Sequence, residues 1–253
     1  MRTLRRTFLP PLALLAFLVL AHGARAAGVS VRWNSCYGDG GVQNKSFACD
    51  TNAGSEVLVG SFTLGANMAQ VSGNEIVINL ASAGSLLPQW WAFKTIGTCR
   101  QASMTLDVLY QGACPDWASG NGVGGIAAYS TGQRGPNTSR IRLATAVPAH
   151  NIQDLSAGQE YFSFRISIDN LKTVGSASCA GCLTPVCLVL QSVRVNTPVP
   201  VNDRTLTGPA NATDSDWATW QGGGSVIVGG RVGCPAATPT RIRAWGEVKA
   251  LYR

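Results

Sequence analysis

The stretch "YFSFRISIDN", residues 161–170, decides the fold. Its apolar residues recur at every second position, a spacing that puts them together on one face of an extended strand. Polar residues fill most positions between them, as in antiparallel sheets that cover a core on one side only. The apolar face predicted in this way consists of Phe162, Phe164, Ile166 and Ile168.

The same alternation returns along most of the chain, with clusters of Gly, Asn, Pro and Ser between the runs and no long helical pattern. Strands that are apolar on one face, and have no helices between them, must cover those faces with each other. We therefore expect an all-β fold, a two-sheet antiparallel sandwich of jelly-roll or immunoglobulin-like type. Further strands are predicted at 29–33, 57–64, 74–80, 103–110, 123–130, 139–145, 186–195 and 224–232.

The first 26 residues have the layout of a secretory signal peptide. A basic start precedes an apolar run at 8–21, and the small residues Ala24 and Ala26 frame a cleavage site. The run of 14 residues is shorter than the roughly 20 that a membrane-spanning helix needs. We expect bacterial-type export to the cell surface, the periplasm or the medium, with no membrane span after cleavage.

The remaining chain divides into a long body and a short basic tail. We assign the sandwich to residues 27–234 and a linker with a basic tail to 235–253. An alternative is two smaller β domains that meet near the loop at 132–139. The body holds twelve basic and twelve acidic residues, so its formal charge is zero. A neutral body offers no electrostatic footprint for a phosphate backbone, and we expect no nucleic-acid partner.

Eight cysteines follow the signal segment, and three of them lie in "SCAGCLTPVC", residues 178–187. An even number in an exported chain favours disulfides. Sequence spacing suggests the pairs Cys36–Cys49 and Cys99–Cys114, each of which brackets a loop or strand. The other two bonds are then expected among Cys179, Cys182, Cys187 and Cys234, with the pairing left open.

A metal site is the alternative for these last four cysteines. Four thiolates could bind zinc, although zinc sites of this kind usually have two Cys-x-x-Cys halves and only one is present. A redox centre is disfavoured because Pro185 and the β-branched residues after it oppose the helix that lowers the thiol pKa in such centres. We expect disulfides and no metal bound by these cysteines.

The segment "NATDSDWATW", residues 211–220, is the best candidate for ligand binding. Aromatic rings stack on sugars, and carboxylates accept hydrogen bonds from sugar hydroxyls or bind calcium. Calcium could bind at 37–41 or at 214–216, and we expect no other cofactor. The alternative is a turn followed by two packed tryptophans. The candidate ligand-binding residues are Asp214, Asp216, Trp217 and Trp220.

Nothing in the sequence matches a nucleophilic catalytic motif. His150 is the only histidine after the signal segment, no Gly-x-Ser-x-Gly is present, and His150 is expected in a solvated loop. The first hypothesis is therefore a non-catalytic surface or extracellular module that binds a polysaccharide or another cell-surface component. The alternative is a secreted polysaccharide hydrolase that uses two carboxylates. The sequence leaves the oligomeric state open.

The tail ends in "RIRAWGEVKALYR", residues 241–253. It is predicted to be either a terminal strand or helix that docks on its own domain, or a recognition tail for sorting. Together with "WNSCYGDGG", "WWAFKTIGTCR" and "SCAGCLTPVC", this ending resembles uncharacterised secreted proteins of environmental bacteria that close on Trp-Gly-x-aliphatic-Lys-x-Leu-Tyr-Arg. The resemblance implies an envelope or extracellular location and favours the recognition tail. The recognition residues would be Trp245, Lys249, Leu251, Tyr252 and Arg253.

Overall fold

The computed structural model describes residues 27–109, 112–222, 225–228 and 231–235, the last two ranges along their backbone only. In these ranges the chain is all-β, as predicted, with three short 3-10 turns at Gln89–Trp91, Ala149–Asn151 and Pro200–Asn202. The strands are Gly28–Trp33 (β1), Asn44–Lys45 (β2), Ser55–Thr63 (β3), Met68–Val71 (β4), Gly73–Ser82 (β5), Met104–Asp107 (β6), Val123–Thr131 (β7), Thr138–Ala146 (β8), Gln153–Leu155 (β9), Glu160–Asp169 (β10), Val186–Asn196 (β11), Arg204–Leu206 (β12), Trp217–Trp220 (β13), Ser225–Val228 (β14) and Arg231–Pro235 (β15). No helix in the described ranges is long and apolar enough to span a membrane.

Two sheets make up most of the structure. The smaller sheet has the strand order β1-β3-β10-β6, and the larger has the order β2-β13-β11-β5-β8-β7 with β12 also paired to β11. Pairing is antiparallel except between the short strands β2 and β13. Two further pairs, β4–β9 and β14–β15, are formed by short strands.

One hydrophobic core lies between the two sheets and confirms the predicted sandwich. Val31, Leu58 and Ile166 from the smaller sheet belong to the same buried cluster as Ile78 and Leu188 from the larger one. Because each strand exposes alternate residues to opposite faces, one face of each sheet supplies the core.

A β-bulge in β10 changes which residues share a face. Phe162 and Phe164 pair with consecutive residues of β3, which leaves Ser163 as the extra residue. Phe164 therefore lies in the main core, together with Tyr161, whereas Phe162 packs in a separate small cluster beside Cys36. The prediction that Phe162 and Phe164 share a face was wrong, because strict alternation fails across a bulge.

The loop at 132–139, where the alternative placed a domain boundary, belongs to one hairpin. It connects β7 to β8, and these strands pair along their length. Strands from both sides of the loop also pair within the same sheet, since β8 pairs with β5 and β5 pairs with β11.

Three described disulfides join segments that are far apart in sequence. Their Cα–Cα distances of 6.0 to 6.2 Å suit disulfide geometry. Cys187 is disulfide-bonded as well. The three pairs are Cys36–Cys114, Cys49–Cys182 and Cys99–Cys179.

The predicted pairing of neighbouring cysteines was therefore wrong. Cys49 reaches Cys182 because both segments contact Trp220: the ring of Phe47 stacks on the Trp220 ring with centroids 3.7 Å apart, and the Trp220 Nε1–H donates to the Cys182 carbonyl oxygen at 2.6 Å. Tertiary packing, not proximity in sequence, selects the partner. The four-thiolate zinc alternative is also wrong, because Cys179 and Cys182 are bonded to cysteines outside that set.

Two assigned segments lie outside the described residues. They are the signal peptide at 1–26 and nearly all of the tail at 235–253, of which only the Pro235 backbone is described. The tail residues Trp245, Lys249, Leu251, Tyr252 and Arg253 belong to the undescribed part.

Candidate ligand-binding pocket

Asp214 lies just before β13 and forms a buried ion pair with β1. Arg32 donates from Nη2 to Asp214 Oδ1 at 2.9 Å, and the two side chains are only 6% and 3% exposed. The Ser30 hydroxyl and the Ser215 backbone N–H donate to the same oxygen, at 2.9 and 2.6 Å. All three bonds end on Oδ1, so Oδ2 accepts no hydrogen bond from the described residues.

Burial dominates the ionisation of this carboxyl group. Desolvation raises the pKa of Asp214 above its ordinary value, and the hydrogen bonds from Ser215 and Ser30 and the charge of Arg32 oppose the rise. The net direction is upward. A carboxyl group with a raised pKa and an unbonded oxygen is a feature that binding and catalytic sites share.

Glu160, at the start of β10, is the second acid of the site. Its Oε1 accepts the Tyr37 backbone N–H at 3.0 Å and the Ser61 hydroxyl, and its Oε2 accepts the Gly38 backbone N–H at 2.8 Å. These bonds tie the turn after β1 to the middle sheet strands. Glu160 therefore fixes the position of Tyr37.

Tyr37 supplies an aromatic wall next to the two acids. The Arg32 guanidinium lies 5.2 Å from the Tyr37 ring centroid, within the range of a cation–π contact. The Tyr37 hydroxyl and the Thr213 hydroxyl are 2.8 Å apart and share a hydrogen bond. The ring is thus held between the ion pair and the 211–214 turn.

These groups line a pocket of about 440 Å³ at one end of the smaller sheet. Its size falls in the range of small-ligand sites. The Asn211 side-chain oxygen accepts the backbone N–H groups of Thr213 and Asp214, at 3.0 and 2.9 Å, and so shapes the turn that forms one rim. The main lining residues are Tyr37, Thr63, Glu160, Ala210, Asn211 and Asp214.

The structure separates the four residues predicted from "NATDSDWATW". Only Asp214 lies in the pocket, while Asp216 is 5% exposed. Trp217 is half-buried against Val189 in a cluster outside the main core, and Trp220 is fully buried in the main core. The two tryptophans therefore do not form one exposed aromatic face, because alternation along β13 turns them to opposite sides.

Two of the pocket's residues were not identified from the sequence, and their signals are weak. Glu160 directly precedes the alternating stretch at 161–170, and Tyr37 follows Cys36 in a glycine-rich turn. Nothing in the local pattern distinguishes either from an ordinary surface residue. His150 is exposed in a 3-10 turn, in agreement with the solvated loop position that was predicted.

The two segments suggested for calcium, 37–41 and 214–216, meet at this pocket. Their carboxylates are occupied by donors: Asp39 accepts the Cys114 backbone N–H at 2.9 Å, and Asp214 accepts a guanidinium. The neighbouring Glu160 accepts two backbone N–H groups. A calcium shell consists of oxygen ligands, and N–H donors turned toward the same carboxylates repel a cation. The surroundings therefore fit poorly with calcium at these oxygens.

A third group of potential metal ligands contains Cys36, Cys114 and Glu160. The two sulfurs are bonded to each other, which leaves no thiolate for a metal.

No protein-family model, curated protein or solved structure matches this chain.

Proposed function

We propose that the protein is an exported, non-catalytic β-sandwich that binds a polysaccharide or another glycan of the cell surface through the Asp214 pocket. The described disulfides support a location outside the reducing cytosol. The resemblance of the chain to secreted bacterial proteins supports the same location. The signal segment supports export on the layout of its residues alone.

The observation that carries the proposal is the acceptor-rich pocket beside an immobilised aromatic ring. Sugar hydroxyls donate hydrogen bonds, and Asp214, whose Oδ2 accepts none from the described residues, lines a pocket of suitable volume. The Tyr37 ring gives an apolar surface against which a sugar ring can pack. Because Glu160 and Arg32 already hold these groups in place, little side-chain ordering opposes binding.

Binding assays with immobilised neutral polysaccharides test the proposal. Tyr37→Ala and Asp214→Asn are each expected to weaken binding by about tenfold or more, as loss of one aromatic or charged contact does. Asp50→Asn makes the same chemical change at an exposed site away from the pocket and is the matched control. Thermal unfolding of each variant separates loss of the pocket from loss of the fold. Unchanged binding in a folded Tyr37→Ala variant would contradict the proposal.

Carboxylate-dependent hydrolysis is the second candidate function, and one observation favours it. Two acids, Glu160 and Asp214, line the same pocket, and burial raises the pKa of Asp214 as a general acid requires. Glu160, however, is held by three donors as an anchor for Tyr37. If hydrolysis is the function, wild-type protein releases new reducing ends from a polysaccharide and Asp214→Asn does not. Binding without release supports the first candidate.

A further inference from the structure

The hairpin of β7 and β8 carries an unbalanced positive charge. Between Val123 and Ala146 the sequence contains three arginines and neither Asp nor Glu. The rest of the body, 27–122 and 147–234, contains nine basic and twelve acidic residues. The neutral total thus hides a local excess of charge. The three residues are Arg134, Arg140 and Arg142.

The three arginines belong to one surface. Ile141 and Leu143 of β8 point into the core, so Arg140 and Arg142 project from the outer face of the larger sheet. Arg134 lies in the turn before β8. Burial and, to a smaller extent, the positive charges of the nearby Arg134 and Arg142 lower the pKa of Arg140.

One guanidinium of the group is held in a fixed orientation. Arg140 Nε donates to Asn79 Oδ1 at 2.9 Å, and Asn79 Nδ2 donates to Gln191 Oε1 at 3.0 Å. Asn79 is opposite Arg140 in the strand register. The bond uses only Nε of Arg140. Within the described residues, the terminal nitrogens of all three guanidinium groups have no hydrogen bond or ion pair.

Acidic partners distinguish these three arginines from other arginines of the sandwich. The nearest acid in the register is Glu75, which is opposite Ala144, diagonal to Arg142, and accepts the Asn196 amide at 3.2 Å. None of the three arginines forms an ion pair with Glu75 or with another acid of the described residues. By contrast, four arginines each pair with an aspartate: Arg32 with Asp214, Arg100 with Asp169, Arg165 with Asp107 and Arg194 with Asp203.

We propose that this surface, Arg134, Arg140 and Arg142, binds an acidic polysaccharide. The surface lies at the border of the larger sheet, where the edge strand β7 exposes the small residues Gly125 and Ala127, and a Cβ atom at Gly125 would meet nothing within 4 Å. Unpaired guanidinium groups bind carboxylate and sulfate oxygens through charge-assisted hydrogen bonds. Three charges on a neutral body suit a thin polyanion better than duplex DNA, whose binding usually involves about six to ten phosphate contacts.

The proposal is independent of the Asp214 pocket, which lies against the smaller sheet and presents acids. The two proposals can be tested separately, because substitutions of the arginines leave the pocket intact and Tyr37→Ala leaves the arginine surface intact. Binding at the arginine surface does not itself depend on export. Export determines only whether the protein meets this ligand outside the cell.

Affinity electrophoresis of the full chain in gels that contain polygalacturonate or dextran sulfate tests the proposal, with uncharged dextran for comparison. Arg134→Gln/Arg142→Gln removes two exposed charges and leaves the Arg140–Asn79 bond. Lys94→Gln/Arg204→Gln removes the same charge at exposed positions elsewhere and is the control. We expect about tenfold weaker binding for the first variant and at most about a twofold change for the control.

Three results would overturn the assignment. The first is equal weakening in both variants, which would indicate general charge attraction, including attraction to the basic tail. The second is equal retardation of the wild type by uncharged dextran. The third is tighter binding to duplex DNA or to anionic phospholipid vesicles than to either acidic polysaccharide. Thermal unfolding of both variants verifies that each is folded.

Discussion

The Arg100 guanidinium lies 3.6 Å from the centre of the Trp90 ring, and the Arg100 side chain has no exposed surface. It donates to the Trp90 carbonyl oxygen at 3.3 Å and also to the Asp169 carbonyl oxygen. Burial lowers the pKa of Arg100 to about 10, against the opposing charge of Asp169, so the group remains charged at neutral pH. The residue connects the loop that contains Trp90 to the end of β10.

Arg100→Ala is expected to destabilise the fold by about 2–4 kcal/mol, because it removes a desolvated cation–π contact and leaves a void beside the rings of Trp90 and Phe93. Denaturant unfolding measures the change. Arg204→Ala, at an exposed arginine, is the control and should remain within about 0.5 kcal/mol of wild type. A small effect at both positions would mean that Arg100 is not part of the core.

Gly60 and Gly125 provide a matched pair of glycine positions in strands. A Cβ atom at Gly60 would lie 2.0 Å from the Phe164 ring, whereas one at Gly125 would meet nothing within 4 Å. Gly60→Ala should cost about 1–3 kcal/mol or more through overpacking. Gly125→Ala should be neutral or slightly stabilising. Chemical denaturation of both variants checks the contrast, and equal stabilities would show that the Phe164 ring can move aside.

Peptide mapping under non-reducing conditions tests the disulfide pattern. We expect linked peptides for Cys36–Cys114, Cys49–Cys182 and Cys99–Cys179. Cys187 is bonded, and Cys234 is the only cysteine of the sequence left to pair with it, so a fourth linked peptide should contain both. A Cys36–Cys49 peptide in the native protein would contradict the structure.

The sandwich was predictable from the sequence because its cause is local: alternation in β8, and in β10 beyond its bulge, indicates which residues face the core. The disulfide partners were not predictable, because Cys49 and Cys182 meet through packing around Trp220 that no local pattern records. The candidate pocket was predicted only at Asp214. Glu160 joins it from β10, and Arg32 pairs with Asp214 from β1; these strands are far apart in sequence, and only the strand order β1-β3-β10 brings them into one sheet.

Calcium should have little effect on this protein. The carboxylates of Asp39, Glu160 and Asp214 already accept N–H donors, and a cation would have to displace them. We expect the melting temperatures in millimolar calcium and in EDTA to be the same. A ligand that binds the folded state raises the melting temperature when its concentration is far above its Kd. A clear rise with calcium would therefore show that the protein binds calcium.

The raised pKa of Asp214 gives a pH dependence with a definite sign. A carboxyl group whose pKa is higher in the folded than in the unfolded state binds protons more tightly when folded. Its contribution to stability is therefore largest below the unfolded value of about 3.8 and declines as the pH rises through the window between that value and the folded pKa.

Because Asn cannot titrate, the stability of Asp214→Asn lacks this contribution and its pH dependence. The free energy of unfolding of wild type minus that of Asp214→Asn should thus fall as the pH rises from about 4, and then level off. Urea denaturation at a series of pH values, with Asp50→Asn as the control, measures the difference. A difference that instead grows with pH would show that Arg32 and the Ser30 and Ser215 donors outweigh burial at this carboxyl group.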